Sequence, residues 1–286
     1  MSTLDASRIS PTAHYTGYVW YRAGLSNPAL RTRKGTIFFH TLQPFNQAYL
    51  KLRGGPTLEG FLLQRHLIID HLLERAIEDG TISQVVEVAA GLSPRGLRMT
   101  RKYPDLTYVE GDLPEMAALK RQVLDAGNLR RLNHHVVTLN ALTDVGPNSL
   151  GEATRCLLDA TRGTAVITEG LLSYFDAETT AAIWRRFSTF LGSLSGGVYL
   201  TDLHVAEDTR AFLAARAFQG FLSVFARGMV HIHHDTPELA RAALDATGFE
   251  AVRVVRPSEM THLTALPRFA RRDAVRVLYG AVPARP

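Results

Sequence analysis

Short apolar runs alternate with longer amphipathic stretches along the chain, and this alternation predicts its fold. The runs at residues 85–89, 106–109, 135–139 and 165–168, and then GVYLTDLHV, have the length and β-branched composition of strands buried on both faces. Helical patterns separate them, which favours a doubly wound parallel sheet. The late runs EAVRVV and AVRVLYG are predicted to complete the sheet as an antiparallel pair. We therefore expect a Rossmann-like α/β fold with a seven-stranded, mostly parallel sheet and helices on both faces.

Helix signals divide the chain into a main domain and two additions. A long helical pattern follows Thr57, a predicted N-cap, and ends near Gly80. Another strong helix follows Asp176, and Pro114 is expected to open a third. The segment SPTAHYTGYVWYRAGL is rich in Tyr and Trp but lacks a clean period, so residues 1–57 are expected to form an irregular N-terminal cap segment with short helices. Its aromatic residues could pack over the core, form a substrate cap, or do both. Residues 58–286 form the predicted main domain, with a cap insertion at about 206–234.

The turn after the first predicted strand carries the clearest functional signal. Gly91 lets the backbone turn and approach a ligand closely. The G-x-G-x-x-G pattern that seats a pyrophosphate is missing, since Ala89 stands at its first position. The acids Glu110 and Asp112 come about 20 residues later, where they could accept hydrogen bonds from ribose hydroxyls. This favours a nucleoside ligand without phosphate, such as S-adenosylmethionine, although many α/β proteins share these features and bind nothing there.

Four segments resemble the leucine carboxyl methyltransferase family. EVAAGLSPRGLRM resembles its LGAGLDTRAFRL signature, and TYVEGDLPEMAALKR resembles its YFEVDLPEVIEAKR signature. FLLQRHLIIDHLLERAIEDGTISQVVEV is similar to the family's arginine helix and first strand, and VITEGLLSYF to its EGVLMYL segment. The resemblance covers roughly residues 58–203. The chain departs from the pattern at Ala89 for glycine, at Ser93 and Pro94 for Asp-Thr, and at Asn140 for a frequent aspartate.

The resemblance implies a class I S-adenosylmethionine-dependent methyltransferase, of the branch that includes bacterial polyketide-type O-methyltransferases. Arg65 would hold the carboxylate of the methionine moiety, and Glu169 would face its ammonium and the sulfonium. Asn140 and Ala141 would contact the adenine. The predicted cofactor-binding residues are Arg65, Glu87, Gly91, Glu110, Asp112, Asn140, Ala141 and Glu169.

The need for a catalytic base depends on the methyl acceptor. Transfer from an activated sulfonium to a carboxylate needs none, whereas a phenol or alcohol benefits from one. The predicted catalytic residues are Tyr174, His204 and His14, with Asp202 as a further candidate base. The sequence leaves this choice open. A small-molecule acceptor from secondary metabolism is expected.

Composition and charge narrow the class of protein. The net charge is +5, but no block of five Lys or Arg residues occurs, so nucleic acid is not an expected partner. No run of 18 apolar residues is present, which argues against a membrane protein and favours a cytoplasmic one, monomeric or homodimeric. The alternatives kept open are a non-catalytic S-adenosylmethionine-binding protein or an RNA-binding protein, and then a dehydrogenase.

The cysteine and histidine residues predict neither a metal-binding site nor a disulfide bond. Cys156 is the only cysteine and falls in a helical pattern, expected over residues 149–161, so we predict a buried structural thiol. His134 and His135 are adjacent on a predicted strand, where side chains alternate between faces, and are expected to be structural. The same is expected of His231, His233 and His234, which lack an assured third ligand.

Overall fold

The computed structural model describes residues 10–53, 57–206, 231–269, 273 and 275–284. Its seven-stranded sheet has the order β3-β2-β1-β4-β5-β7-β6, which confirms the predicted fold. The strands are β1 (Gln84–Val88), β2 (Thr107–Asp112), β3 (His134–Thr138), β4 (Thr164–Thr168), β5 (Gly197–Leu203), β6 (Glu250–Val255) and β7 (Arg276–Val282). Strands β1 to β5 pair in parallel, whereas β7 is antiparallel to both β5 and β6. The final two strands thus form the predicted antiparallel pair.

Helices connect the strands where the sequence pattern indicates. They are α1 (Ser10–Arg22), α2 (Arg33–Arg53), α3 (Leu58–Glu78), α4 (Arg95–Lys102), α5 (Pro114–Ala126), α6 (Leu150–Thr154), α7 (Ala177–Gly192) and α8 (Pro237–Asp245). The predicted caps are confirmed: Thr57 accepts a hydrogen bond from the Gly60 amide at 3.0 Å, and Asp176 from the Thr179 amide at 2.8 Å. Pro114 begins α5 as expected. Each cap fixes the residue at which its helix begins.

Two apolar cores lie on opposite faces of the sheet. Adjacent residues of β1 point to different faces, so Val85 joins a core with α1 and α3, and Val86 joins a core with α7 and α8. Burial on both faces explains why the strands read as continuous apolar runs. The carboxyl ends of the parallel strands are thereby held at a common edge.

Two expectations about local structure were wrong. The N-terminal segment is not made of short helices, because α1 has 13 residues and α2 has 21. Cys156 is exposed rather than buried, since α6 ends at Thr154 and the following residues form a turn. The predicted helix over residues 149–161 is therefore much shorter than expected.

The predicted cap insertion at about 206–234 lies largely outside the described residues, because these do not include residues 207–230. Across the part of the chain that the structure describes, no helix combines the length and apolar composition that a membrane span requires. In the same part of the chain, no three His, Cys, Asp or Glu side chains are grouped so as to hold a metal ion.

Candidate functional site

The candidate site lies at the carboxyl ends of β1, β2, β4 and β5. Ligands of open α/β sheets bind at this edge. The turn after β1 contains Gly91, β2 ends at Asp112, and Glu169 follows β4 directly. Asp202 is the penultimate residue of β5. The fold therefore brings together residues that are far apart in the sequence.

The turn after β1 has the backbone conformation predicted for it. Gly91 has φ +53°, in the left-handed region that favours glycine. Its amide donates a hydrogen bond to Asp112 Oδ2 at 2.7 Å, and Asp112 Oδ1 accepts from the Leu113 amide at 2.8 Å. Ala89, which replaces a glycine of the family signature, also has a positive φ of +56°. Such a conformation costs an alanine about 1 to 2 kcal/mol, so strain is stored next to the candidate site.

The two acids of β2 have different surroundings. Glu110 is buried between Lys120, whose Nζ lies 2.7 Å from Oε2, and His134, whose Nε2 lies 3.3 Å from Oε1. Burial raises the pKa of Glu110, but these two neighbours outweigh it and lower the pKa to about 2. Burial raises the pKa of Asp112, although two backbone amides partly oppose it. Asp112 therefore contacts the turn at Gly91, whereas Glu110 is held by an internal ion cluster.

Arg65 and Glu169 contact each other directly. Arg65 Nε donates to Glu169 Oε1 at 3.0 Å, and Arg65 Nη1 donates to Asp202 Oδ2 at 2.9 Å. The Gly170 amide binds the other Asp202 oxygen at 2.6 Å. A Cβ at Gly170 would lie only 2.8 Å from Arg65 Nη2, so the absence of a side chain lets the guanidinium approach the backbone. These contacts place a fork of N–H donors at the ends of β4 and β5.

Arg95 is the centre of a larger buried ion network. Its Nε donates to Asp70 Oδ1 at 2.6 Å, its Nη1 to Glu87 Oε1 at 2.5 Å, and its Nη2 to Glu169 Oε2 at 2.6 Å. His66 Nδ1 lies 2.8 Å from the same Glu169 oxygen. The guanidinium is completely buried, so three carboxylates supply the interactions that water would otherwise provide. Arg95 thus connects α3 and α4 to the ends of β1 and β4.

This network favours the ionised form of two of its carboxyls, those of Glu169 and Asp70. Burial raises the pKa of Glu169, but the neighbouring charges of His66 and Arg95 prevail and hold it well below its usual range. For Asp70 the same two neighbours overcome burial and lower the pKa to about 2. Glu87 behaves differently, since burial raises its pKa despite the contact with Arg95. Most of the network therefore keeps its negative charges at neutral pH.

Acidification is expected to destabilise the protein as these carboxyls take up protons. Asp70 and Glu110 have folded-state pKa values of about 2, against ordinary values of 3.8 and 4.5. Their stabilising contributions are complete above pH 4.5 and are lost as the pH falls towards 2, on the order of 2 kcal/mol for Asp70 and 3 kcal/mol for Glu110. The raised pKa values of Glu87 and Asp112 act in the opposite direction. Urea unfolding between pH 7 and pH 3 measures the net change.

The variant Glu110→Gln is the control for this prediction, because it removes one of the titrating groups. Between pH 4.5 and 3, its free energy of unfolding should fall less steeply than that of the wild type. Equal slopes in the two proteins would show that Glu110 does not carry this share of the acid sensitivity.

The predicted adenine residues form a turn after β3. Asn140 donates its backbone N–H to the Asn148 carbonyl at 2.9 Å, and its side-chain oxygen accepts from the Leu142 amide at 3.0 Å. Ala141 is buried, and its carbonyl accepts a hydrogen bond from Arg186 Nη1 at 2.8 Å. The turn therefore has a defined shape at the end of the strand that neighbours β2.

A small pocket lies beside Arg65, between the ends of β4 and β5. Its walls are two apolar side chains, Leu172 and Leu203, and a polar set formed by Gly170, Ser173, Asp202, His204, His231 and His233. The His204 ring stacks on Phe61, with a centroid distance of 5.0 Å and an interplanar angle of 16°. Three imidazoles thus contribute to one polar pocket.

Of the two other predicted catalytic residues, Tyr174 contacts helix α1 and His14 belongs to it. The Tyr174 hydroxyl lies 3.1 Å from Thr12 Oγ1, and burial raises its pKa. His14 Nδ1 lies 3.0 Å from Thr32 Oγ1. Tyr174 belongs to the short 3-10 turn after β4, close to the pocket, whereas the observed partner of His14 lies in the N-terminal segment.

Helix α1 covers the candidate site. A Cβ on Gly91 would lie 3.2 Å from the Ala13 Cβ, which places α1 directly against the turn after β1. The Trp20 ring lies 4.7 Å from the His66 ring, above the ion network. The aromatic residues of the N-terminal segment therefore serve as packing over the site.

Sequence reasoning missed Arg95, His66 and Asp70. Their partners come from distant segments, since Asp70 is 25 residues and Glu169 is 74 residues from Arg95. A signal was nevertheless present on α3, where His66 and Asp70 are four residues apart in an otherwise apolar stretch and so share one helix face. Buried polar residues in such a pattern need partners.

Comparisons with known proteins identify the family. The family model described as leucine carboxyl methyltransferase matches residues 27–188. A protein of Frankia alni named "Putative S-adenosyl-L-methionine-dependent methyltransferase" is 30% identical over 212 residues, 68% of this chain and 71% of its own. A Mycobacteroides abscessus protein of the same name is 28% identical, over 65% of this chain and 56% of its own.

A solved structure shares the fold. The crystal structure of a DUF574 family protein from Streptomyces avermitilis superposes with a TM-score of 0.66 at 13% identity, over 95% of this chain and 97% of that one. The family match covers more than half of the chain, and the Frankia alni relative reaches 30% identity over two thirds of it. The chain belongs to the leucine carboxyl methyltransferase family and is an S-adenosylmethionine-dependent methyltransferase.

Proposed function

We propose that this methyltransferase transfers the methyl group of S-adenosylmethionine to an oxygen, a carboxylate or a hydroxyl, of a small molecule of the secondary-metabolite type. The observation that carries the proposal is the arrangement at the strand ends: the turn at Gly91 bound to Asp112, and Arg65 bound between Glu169 and Asp202 beside a polar pocket. The donor and the acceptor would then meet at one edge of the sheet.

The residues present suit the chemical groups of the donor. Asp112 is the acid best placed to accept hydrogen bonds from ribose hydroxyls, because it already binds the turn amide of Gly91. Glu110 would support β2 through Lys120 rather than contact the ribose. The single glycine of the turn is sufficient for a ligand without a pyrophosphate. Asn140 and Ala141 would bind the adenine from the adjacent turn.

Arg65 and Glu169 would hold the amino-acid end of the donor. A guanidinium presents two parallel N–H donors that match a carboxylate, so the ligand carboxylate would share Arg65 with Asp202. Glu169 stays ionised, and its negative charge would favour the ammonium and the sulfonium. Glu87 would act indirectly, since its contacts are Arg95 and Tyr108. When bound, S-adenosylmethionine supplies an activated methyl group, and the chain must align the acceptor and exclude water.

Replacing Asp112 by alanine tests the donor site. Each hydrogen bond to a charged group contributes about 1.5 to 3 kcal/mol, so Asp112→Ala should weaken S-adenosylhomocysteine binding at least about tenfold. Isothermal titration calorimetry measures the affinity. Asp125→Ala is the matched control, because Asp125 is an exposed carboxylate on α5 that pairs with Arg130. Unchanged affinity in Asp112→Ala would remove Asp112 from the ribose site.

A further inference from the structure

Lys120, on α5, is a lysine with almost no access to solvent. It is only 1% exposed, although a lysine is rarely buried unless a partner takes up its charge. Its Nζ lies 2.7 Å from Glu110 Oε2 and donates a hydrogen bond to the backbone carbonyl of Ser93 at 2.5 Å. Ser93 belongs to the turn between β1 and α4, which also contains Gly91. The buried cation therefore reaches the turn that is proposed to hold the donor.

Two residues of opposite charge hold this turn at its two ends. Asp112 Oδ2 accepts from the Gly91 amide at 2.7 Å, and Lys120 donates to the carbonyl of Ser93. Between these contacts the turn is closed by the Ser93 amide, which donates to the Ala90 carbonyl at 2.9 Å. A carboxylate on an N–H and an ammonium on a carbonyl are both charge-assisted hydrogen bonds, the stronger kind. The unit formed by β2 and α5 thus fixes both ends of the turn.

The start of α4 lies directly on the ion cluster that surrounds Lys120. Glu110 is placed between Lys120 and His134, whose Nε2 is 3.3 Å from Glu110 Oε1. Gly96, in the first turn of α4, covers this pair so closely that a Cβ on it would overlap with both Glu110 Oε1 and His134 Nε2. The cluster therefore sets where the turn ends and where α4 begins, immediately after the carbonyl that Lys120 binds.

Lys120 also influences the carboxyl at the other end of the turn. Burial raises the pKa of Asp112, and the amides of Gly91 and Leu113 partly oppose this rise. The charge of Lys120 lowers the same pKa by more than the charge of Glu110 raises it. An ionised carboxyl is the stronger acceptor for a ribose hydroxyl. Lys120 thus favours the form of Asp112 that suits the proposed ribose contact.

We propose that Lys120 is a positioning residue of the donor site, which holds the turn between β1 and α4 in its binding shape through the carbonyl of Ser93. This inference rests on the proposed function, in which the turn at Gly91 and Asp112 bind S-adenosylmethionine. Lys120 acts through the backbone rather than by contact with the donor. Its contribution is made before the ligand arrives, because a turn that already has its bound shape loses less conformational freedom on binding.

The variant Lys120→Met tests this role, because it keeps an unbranched side chain and removes Nζ. Calorimetry on the full chain should show S-adenosylhomocysteine binding at least about fivefold more weakly than to the wild type, since the Ser93 carbonyl loses its charged donor. The matched control is Arg162→Met. Arg162 also donates to a backbone carbonyl, that of Ser83 at 3.3 Å, but at the opposite end of β1, so its loss should leave the affinity unchanged. Wild-type affinity in Lys120→Met, or an equal loss in Arg162→Met, overturns the proposal.

A double variant separates positioning from loss of the fold. Lys120→Met leaves the Glu110 carboxylate buried without its cation, which is strongly destabilising, whereas removal of both charges of a buried pair is often nearly neutral. Lys120→Met combined with Glu110→Gln should therefore fold, as measured by circular dichroism, and should still bind S-adenosylhomocysteine at least about fivefold more weakly than the wild type. Glu110→Gln alone keeps the bond to Ser93 and should bind more tightly than the double variant. Wild-type affinity in the double variant, or an equal loss in Glu110→Gln alone, overturns the proposal.

The pH dependence of binding supplies a readout that a merely structural role would not move. Without Lys120 the pKa of Asp112 should rise further, so the affinity of Lys120→Met should fall between pH 8 and pH 5 at least about twofold more than that of the wild type. The double variant should change in the same direction, because Lys120 influences Asp112 more than Glu110 does. A uniform loss at every pH would contradict the proposal. If S-adenosylhomocysteine fails to bind the wild type, the proposed function fails instead, so the two failures are distinguishable.

Discussion

Replacing Arg95 by methionine is expected to lower the free energy of unfolding by about 3 to 5 kcal/mol, the cost of leaving buried charges without a partner. The guanidinium is fully buried and binds Asp70, Glu87 and Glu169 at 2.5 to 2.6 Å. Methionine fills a similar volume but leaves three carboxylates around an apolar side chain. Urea unfolding monitored by circular dichroism measures the loss.

Two further variants give this experiment its controls. Arg101 lies on the same helix but is exposed, so Arg101→Met should change the free energy of unfolding by less than about 0.5 kcal/mol. Arg95→Lys should be intermediate, because an ammonium keeps the charge but cannot reach three carboxylates as a planar fork does. Wild-type stability in Arg95→Met would mean that Asp70, Glu87 and Glu169 find other partners.

The sheet could be predicted from the sequence because its signals are local. The first strand was expected over residues 85–89 and spans Gln84–Val88, and the caps Thr57 and Asp176 are where the pattern places them. β-branched runs and short polar caps act within a few residues, so no knowledge of distant contacts is needed. The second strand extends further than expected, to Asp112, because pairing with β1 and β3 continues beyond its apolar part.

The N-terminal helix could not be predicted because it has no polar face to give a period. Tyr15, Tyr18, Val19 and Trp20 are all buried in α1, which packs on α2, α3 and the turn after β1. A helix that is covered on most sides lacks the amphipathic pattern on which sequence interpretation depends. The prediction that Cys156 is buried was wrong for a different reason. The apolar pattern of the sequence continues beyond Thr154, but the helix ends there and leaves the thiol exposed.

The sequence predicts only those parts of the candidate site that lie within one local motif. Gly91 and Asp112 could be placed because a strand, a turn and a second strand bring them together within about 20 residues. The contact between Arg65 and Glu169 spans 104 residues and depends on how α3 crosses the sheet. Charge partners at such separations follow from tertiary packing, which a single sequence does not encode in any local pattern.

Replacing Gly91 by valine is expected to abolish detectable S-adenosylhomocysteine binding. Gly91 has φ +53°, and a Cβ there would lie 3.2 Å from Ala13 of the covering helix. A branched side chain would both strain the turn and press against α1, at the turn that is proposed to hold the donor. A loss of at least about 100-fold in affinity is expected, equivalent to about 2.7 kcal/mol. Calorimetry measures the affinity, and circular dichroism reports whether the fold persists.

The matched control is Gly80→Val, because it separates backbone strain from obstruction of the site. Gly80 has a similar φ of +76°, and nothing lies within 4 Å of a Cβ placed on it. Valine at either position is strained by about 1 to 2 kcal/mol, but Gly80 closes α3 at the opposite end of β1 from the candidate site. Gly80→Val should therefore reduce stability and leave the ligand affinity unchanged. An equal loss of affinity in both variants would attribute the effect to strain, and normal affinity in Gly91→Val would exclude this turn from the donor site.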